Sequence, residues 1–316
     1  MKNNTGIGNK KGNLADLFIV KLIFITAVAL VISLCVFLVS VILDVTSDDK
    51  PSGDATNGDG TIKIDPSQYT VLDSISDNQL YSGDLIIVDE GHKLNSKAES
   101  DTVSLKASNR PVITHPYRDH GYLCYPNASA TKEVSDALNK MIADFYKNVS
   151  STPEIPECLL VRKAKGLSKD AIYASGLVLE LGYEKGETKD EADKNEKPLY
   201  GVERYKWIYE NAHKYGFVRY YPKSTDAEDA SVFRYVGVAH AAKMKNEGKT
   251  LSEYIDIIKS KTYTEPLQVV GGDGKTYYVY YSEKGADLYV PQNYSYEISG
   301  DNVGGYIVTV DASKKK

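Results

Sequence analysis

The chain has 316 residues, of which 42% are hydrophobic and 26% are charged, and its formal net charge at pH 7 is −5. This length accommodates an anchor, one sizeable domain and a small additional module. The negative balance argues against a nucleic-acid-binding protein, for which a basic surface is expected, so we predict no nucleic-acid partner.

An apolar segment without any charged residue extends from Leu22 to Leu43. At about 1.5 Å per residue it is long enough to cross the hydrocarbon core of a bilayer. Lysines dominate the flank before it and aspartates the flank after it. The sequence therefore predicts a single-pass anchor at 22–43, with residues 1–21 in the cytoplasm and the rest outside the cell membrane. A cleaved signal peptide is the alternative, but the run is long and lacks a small-residue cleavage pattern.

Composition divides the remainder of the chain into three parts. Residues 44–68 are rich in Asp, Gly, Ser and Thr, which predicts a flexible linker. Folded structure is expected from Tyr69 onwards. We predict one domain at 69–262 and a small β-rich module at 263–316, where alternating apolar residues are separated by turn residues.

The first half of the predicted domain mixes short strands with one helix. Strands are predicted at 84–89, 103–105, 122–125 and 158–161. Between the last two, Ser129 and Thr131 offer caps for a helix that reaches Lys147 and carries an apolar stripe.

The second half contains three predicted helices. The first covers 205–215 and ends at Gly216, a residue that tolerates the positive φ of a helix C-terminus. A strand at 233–237 leads into a helix at 238–246, and Ser252 is expected to cap a helix at 253–260. Strands are then predicted at 267–270, 276–281, 287–290, 294–298 and 305–310.

The cysteine and histidine residues bear on a possible disulfide and on which side chains lie at the surface. Cys124 and Cys158 lie near predicted strands, and they either form a disulfide in the oxidising exterior or stay as two buried thiols. His213 and His240 fall on predicted helices and are expected at the surface.

The amino-acid identities in residues 205–237 indicate a particular protein family more specifically than the periodicity of the segment does. A helix carrying Trp207, Asn211-Ala212 and Tyr215-Gly216-Phe217 is followed by Tyr221-Pro222 and by Arg234-Tyr235-Val236-Gly237. In this order and register the chain resembles the VanY-type D-alanyl-D-alanine carboxypeptidases, zinc peptidases of the LAS fold. The resemblance covers roughly residues 84–260. It implies an α+β fold in which helices flank an antiparallel sheet.

The resemblance also implies where the catalytic residues of such an enzyme would lie. The family motif S-x-H-x-x-G-x-x-x-D aligns its histidine with Tyr173 and its aspartate with Glu180. The second motif, E-P-W-H, aligns its glutamate with Asp229 and its histidine with Val232. Valine has no lone pair for a metal, and the phenol of tyrosine is a poor zinc ligand near neutral pH. The family's S-x-Y-R turn finds no match in register between Leu160 and Gly166.

These substitutions lead to three hypotheses. In the first, the domain is a pseudoenzyme without zinc or any other cofactor, and its old cleft, with Ser175, Arg234 and Tyr235 as candidate contacts, binds a peptidoglycan stem peptide or an envelope protein. In the second, the chain is an active zinc carboxypeptidase acting on D-Ala-D-Ala termini in the cell wall. In the third, it is a structural or assembly protein of the envelope that uses its C-terminal module.

Overall fold

The computed structural model describes residues 65–98, 101–105, 122–125, 127–149, 157–185 and 196–315, together with two short strands between residues 55 and 63. These residues belong to one compact unit, Asp54–Lys316. The predicted cytoplasmic tail, the anchor at 22–43 and most of the linker lie outside the described residues. Among the helices that are described, none combines the length and the apolar character needed to span a bilayer.

The strands in chain order are β1 (Ala55–Thr56), β2 (Ile62–Lys63), β3 (Tyr69–Val71), β4 (Thr102–Ser104), β5 (Tyr122–Cys124), β6 (Ser129–Thr131), β7 (Glu157–Lys163), β8 (Val178–Lys185), β9 (Lys197–Pro198), β10 (Phe217–Arg219), β11 (Val232–Tyr235), β12 (Leu267–Val270), β13 (Thr276–Glu283), β14 (Tyr289–Pro291), β15 (Tyr294–Gly300) and β16 (Gly305–Lys315). The α-helices are α1 (Lys132–Asn148), α2 (Lys206–Asn211), α3 (Ala227–Ala230), α4 (Val238–Glu247) and α5 (Leu251–Ile258). Short 3-10 turns cover Pro66–Gln68, Asp77–Tyr81, Ala171–Tyr173, Glu203–Tyr205 and Ala212–Tyr215.

The central sheet has the strand order β10-β11-β8-β7-β5, and β9 pairs with β8. Its pairs are antiparallel as predicted, except that β5 runs parallel to β7. Helix α1 is capped by Thr131, whose side chain accepts a hydrogen bond from the amide of Val134. Its apolar stripe packs with Leu179 and Phe233 on one face of the sheet. Because side chains alternate along a strand, Glu180, Val232 and Arg234 point to the opposite face.

The predicted strand at 84–89 is wrong, although its residues are buried. Leu85 and Ile87 enter one apolar cluster while Ile86 and Val88 enter another, so the alternation is strand-like. The backbone groups of this segment, however, form mostly hydrogen bonds that are not part of a β-sheet. The amide of Leu85 donates to Ser299 Oγ at 2.9 Å, and the amide of Ile87 donates to the carbonyl of Asp301 at 3.0 Å. The segment therefore runs between two cores without joining a sheet.

The helix predicted at 205–215 forms in three pieces. Residues Glu203–Tyr205 and Ala212–Tyr215 are 3-10 turns on either side of α2, and Gly216 follows with a φ of +89°. The cap predicted at Ser252 is wrong. Thr250 caps α5 instead, and its side chain exchanges hydrogen bonds with Glu253 in a capping box. The two helices that follow β11 otherwise form close to their predicted positions.

The C-terminal strands form their own antiparallel sheet in the order β12-β13-β16-β15. This sheet shares an apolar cluster with the preceding helices, in which Val279 and Ile307 pack with Tyr254 and Ile255. Strand β14 pairs instead with β3, near the start of the described fold. The division into a domain at 69–262 and an independent module at 263–316 stays a prediction.

Two predictions for single residues have different outcomes. His240 is buried, with only 4% of its surface exposed, because α4 packs beneath the C-terminal sheet, so the predicted surface position is wrong. The thiol of Cys124 donates to the carbonyl of Leu105 at 2.8 Å. The disulfide with Cys158 stays a prediction, since the side chain of Cys158 lies outside the described part of the chain.

Candidate functional site

A buried carboxylate lies at the centre of the sheet face opposite α1. Glu180 on β8 is 1% exposed, and its Oε1 accepts a hydrogen bond from Arg162 Nη1 at 2.6 Å. Its Oε2 lies 2.9 Å from Lys163 Nζ. Burial raises the pKa of Glu180, while the two cations oppose that rise. An isolated carboxylate at this depth would be strongly destabilising, so the two bases are what make the buried charge tolerable.

A β-bulge brings two consecutive basic residues to this carboxylate. The register between β7 and β8 shifts between Val161 and Lys163, so that Lys163 pairs with Glu180 and Arg162 is the additional residue. Bulges re-aim side chains in this way. Gly182 completes the arrangement, because a Cβ at that position would collide with Cδ of Arg162. Its missing side chain is what lets the arginine lie across β8.

The same arginine reaches a second acidic residue. Arg162 Nη1 also pairs with Glu228 of α3, a short helix whose first turn is capped by Asp226. Asp229, the residue aligned with the family's catalytic glutamate, is exposed and accepts a hydrogen bond from Ser224 at 3.2 Å. The structure thus brings Glu228 rather than Asp229 into contact with the basic pair.

Apolar contacts close the space beside Glu180. Tyr173 and Val232 are 2% and 4% exposed and pack together with Val178 in one cluster, against which Tyr220 is placed. Val232 is the cross-strand neighbour of Glu180, and the hydroxyl of Tyr173 donates to Glu180 Oε2 at 3.4 Å. Burial, followed by the charge of Glu180, raises the pKa of Tyr173 well above its usual value of 10. The phenol therefore stays protonated at neutral pH.

The turn before β8 is fixed by a glycine. Gly176 has a φ of +77°, and a Cβ there would lie 3.2 Å from the amide nitrogen of Thr131. This tight turn carries the chain from Tyr173 into β8 and sets the tyrosine beside Glu180.

The remaining sequence-predicted residues do not share this cluster. Ser175 and Tyr235 line a large cavity of about 950 Å³ between the N-termini of α1 and α4 and the C-terminal sheet. Arg234 is 2% exposed and donates from Nη2 to the carbonyls of Asp84 and Ile86, both at 2.9 Å. It lines a separate cavity of about 210 Å³. The single cleft expected from the sequence is therefore divided over two cavities and one closed cluster.

The amino-acid sequence of this chain is similar to those of two known peptidases. The chain is 29% identical over 265 residues to a D-alanyl-D-alanine carboxypeptidase of Enterococcus faecium, an alignment that covers 77% of this chain and 80% of the relative. A second D-alanyl-D-alanine carboxypeptidase, from Enterococcus faecalis, is 29% identical over 135 residues, or 40% of this chain and half of the relative. No family model matches the chain.

This chain resembles the D-alanyl-D-alanine carboxypeptidases.

The fold is that of the same group of proteins. The vancomycin-resistance D,D-dipeptidase VanXYg, solved in complex with a D-Ala-D-Ala phosphinate analogue, superposes with a TM-score of 0.56 at 18% identity. The superposition covers 77% of this chain and 99% of VanXYg. The described part of the chain therefore shares its overall fold with this D,D-dipeptidase.

The zinc of such carboxypeptidases does not fit the residues found here. A catalytic zinc site needs three protein ligands and an open position. Of the three aligned positions, Val232 offers no donor atom, Tyr173 holds its proton, and Glu180 is already bound by two cations. Within the described residues, no group of three or more His, Cys, Asp or Glu side chains is arranged to hold a metal ion. We therefore derive no catalytic step through zinc.

Sequence reasoning missed the basic pair and Glu228. The segment containing Arg162 and Lys163 lacks the family's S-x-Y-R spacing, so the resemblance assigns it no role. The signal that could have found it was chemical: two adjacent bases end one strand, and an acidic residue lies in the otherwise apolar run of the next strand. A buried carboxylate requires partners, and the neighbouring strand is where they lie.

Proposed function

We propose that this protein is a membrane-anchored, extracytoplasmic member of the cell-wall machinery whose carboxypeptidase-like domain binds its ligand without zinc and without hydrolysis. The proposed ligand is a peptidoglycan stem peptide. Two considerations support this ligand: the relatives are named as D-alanyl-D-alanine carboxypeptidases, and VanXYg was solved with a D-Ala-D-Ala analogue. The anchor at 22–43 would hold the domain near the outer membrane surface.

The observation that carries the loss of catalysis is the ion-paired state of Glu180. Arg162 and Lys163 supply positive charge to a carboxylate that would otherwise be expected to ligate the metal. Tyr173 and Val232 fill the adjacent volume with apolar contacts. The substitutions are therefore mutually compatible, which is what a site retained for its shape, but not for its metal, requires.

The decisive experiment measures zinc content, hydrolysis and binding on the same preparation. The full chain would be purified in detergent, dialysed with zinc present, and then analysed for bound metal. A peptide ending in D-Ala-D-Ala would be used for D-alanine release and for calorimetric binding, with the L-Ala-L-Ala peptide as the matched control and VanXYg as the active reference.

We expect no stoichiometric zinc, no D-alanine release and measurable binding that depends on the D configuration. Stoichiometric zinc together with D-alanine release would establish an active carboxypeptidase and overturn the proposal. Absence of both hydrolysis and peptide binding would remove the stem peptide as the ligand and favour an envelope protein as partner.

A further inference from the structure

A small cavity lies beside the cluster around Glu180, on the same face of the central sheet. Its volume is about 210 Å³, which equals the volume of about seven water molecules in liquid water. Val218, Met244 and Leu251 give it apolar walls, and Arg234 lines it from β11. Tyr220 borders both the cavity and the cluster of Tyr173 and Val232.

Arg234 has unused hydrogen-bonding capacity at this cavity. A guanidinium carries five N–H donors. Nη2 donates to the carbonyls of Asp84 and Ile86, whereas Nε is buried and has no partner in the described part of the chain. No described residue accepts a hydrogen bond from Nη1. A buried charged group with unused donors is unfavourable unless something else accepts from it.

The charge of Arg234 is also incompletely balanced. No carboxylate among the described residues forms an ion pair with it. Burial lowers the pKa of Arg234 to about 10, so the group is still cationic at neutral pH. The phenol of Tyr220 and the carboxyl of Asp84 act on this charge, but burial raises the pKa of Tyr220 to about 12 and that of Asp84 to about 7, so the phenol is neutral and the carboxyl is partly neutral at pH 7. Asp89, at the cavity wall, accepts instead from His92 and from the amide of Gly91.

The cavity walls suit an anion that has an apolar end. The first residues of α5, Leu251 and Ser252, line the cavity, and amide groups in the first turn of a helix have no intrahelical acceptor. Met244, which is 1% exposed, supplies a buried apolar surface. Carboxylates match the planar fork of an arginine, and a small organic carboxylate also offers a hydrocarbon group for the walls.

We propose that this cavity binds a small organic monocarboxylate, with its oxygens on the Arg234 guanidinium and its hydrocarbon end against Met244 and Leu251. The site does not depend on the proposed function, because it shares Tyr220 with the Glu180 cluster but no charged group. It also gives the buried arginine an acceptor that the described residues do not supply.

The test compares two ligands of the same shape that differ in charge. Thermal unfolding of the full chain would be followed with isobutyrate and with isobutyramide, at matched concentrations on the order of 10 mM and at constant ionic strength. If isobutyrate is present at about ten times its Kd, the midpoint of unfolding should rise by about 3 °C. Isobutyramide should leave the midpoint unchanged.

Two variants locate the effect. Ser252 is exposed at the wall of the cavity, and Ser252→Trp should fill its mouth and abolish the shift without changing the fold. Ser260→Trp, at an exposed position that does not line the cavity, is the matched control and should keep the shift. Arg234→Gln should also abolish the shift, measured relative to its own ligand-free midpoint.

Any of four results would overturn the proposal. These are no shift with isobutyrate, an equal shift with isobutyramide, a shift that survives in Ser252→Trp, or a shift that survives in Arg234→Gln. A shift with inorganic phosphate where isobutyrate has none would identify an inorganic-anion site in place of a carboxylate site.

Discussion

At the scale of single residues, the carboxylate that aligns with a zinc ligand of the carboxypeptidases lies between two basic side chains. Glu180 is one residue facing two cations, and each cation is partly open to solvent, with Arg162 at 16% and Lys163 at 44% side-chain exposure. The hydrogen bond to Glu180 raises the pKa of Lys163, even though partial burial works against it. The group therefore stays charged over the physiological pH range.

The coupling between Glu180 and Lys163 can be measured by a double-mutant cycle. Glu180→Gln leaves the bases without their acceptor, and Lys163→Met removes one base. We expect each single change to lower the free energy of unfolding, and the double change to cost about 1 kcal/mol less than their sum, a small value because Lys163 is half exposed to solvent. Urea unfolding measures all four chains. Lys169→Ala, at an exposed lysine after the same strand, should have no effect, and strict additivity would mean that the ion pair contributes nothing.

Tyr173, Glu180 and Val232, which align with the zinc ligands of the carboxypeptidases, lie close together although their side chains do not form a metal site. We expect the double variant Tyr173→His and Val232→His, made together with Lys163→Met to free Oε2 of Glu180, to bind zinc when the wild-type chain does not. Bound metal after gel filtration is the measurement. Val178→His with Tyr220→His in the same background places the imidazoles in the same cluster but off the aligned positions, and zinc binding by this control would show that any histidine pair suffices there.

At the scale of elements, a buried histidine joins two helices to the C-terminal sheet. His240 on α4 makes hydrogen bonds of 3.0 Å to Tyr254 on α5 and to Thr309 on β16. One ring nitrogen donates and the other accepts in the neutral form, so protonation disturbs one of the two bonds.

This histidine predicts a specific loss of stability in acid. Burial lowers the pKa of His240 from 6.5 to about 4. The unfolded chain therefore takes up the proton first, so stability is fully present above about pH 6.5, falls as the pH falls to about 4, and levels off below. The loss should reach roughly 3 kcal/mol. Urea unfolding at pH 7 and pH 4.5 measures it. His240→Gln should remove this contribution from the difference between the two pH values, whereas the exposed His92→Gln should retain it, and an unchanged difference in His240→Gln would refute the assignment.

The N-terminus of α5 offers a simpler contrast between neighbouring hydroxyls. Thr250→Ala removes the cap that accepts from the amide of Glu253, so the free energy of unfolding should fall by about 1 kcal/mol. Ser252→Ala, two positions later and exposed, should change it by less than about 0.5 kcal/mol. Equal losses would mean that the capping box does not form in solution.

At the scale of the whole molecule, the C-terminal sheet is built into the fold. Leu85 and Ile87 pack in the same cluster as Val279 and Ile307, and Leu80 packs in another with Tyr280 and Val308. Segments from both ends of the described chain thus share two cores.

We expect a chain truncated after Lys261 to lose cooperative unfolding, because these clusters would be opened to water. Circular dichroism during heating measures this, and the full chain in the same buffer is the control. A truncated chain that still melts in one sharp transition would instead show that residues 263–316 are an independent module, as the sequence predicted.

The sequence predicted most elements because their periodicity matched their burial. Helix α1 and the strands of the C-terminal sheet have one apolar side each, and that pattern is local. Residues 84–89 were predicted wrongly for a physical reason. Their side chains alternate between two cores, as in a strand, while the backbone groups of residues 84–87 bond to residues more than 140 positions away. The resemblance placed Tyr173, Glu180 and Val232 together, but no motif indicated the bulge that delivers Arg162 and Lys163.

The pairing of β3 with β14 has a mechanical consequence. Only three residue pairs join these strands, from Tyr69–Pro291 to Val71–Tyr289, and the adjacent amides of Leu72 and Gln292 extend the contact by one hydrogen bond on each side. A pulling force applied through residues preceding Asp65 acts first on this short pair of strands. We expect β3 and β14 to separate before the central sheet is strained, so that the Glu180 face stays intact under the force.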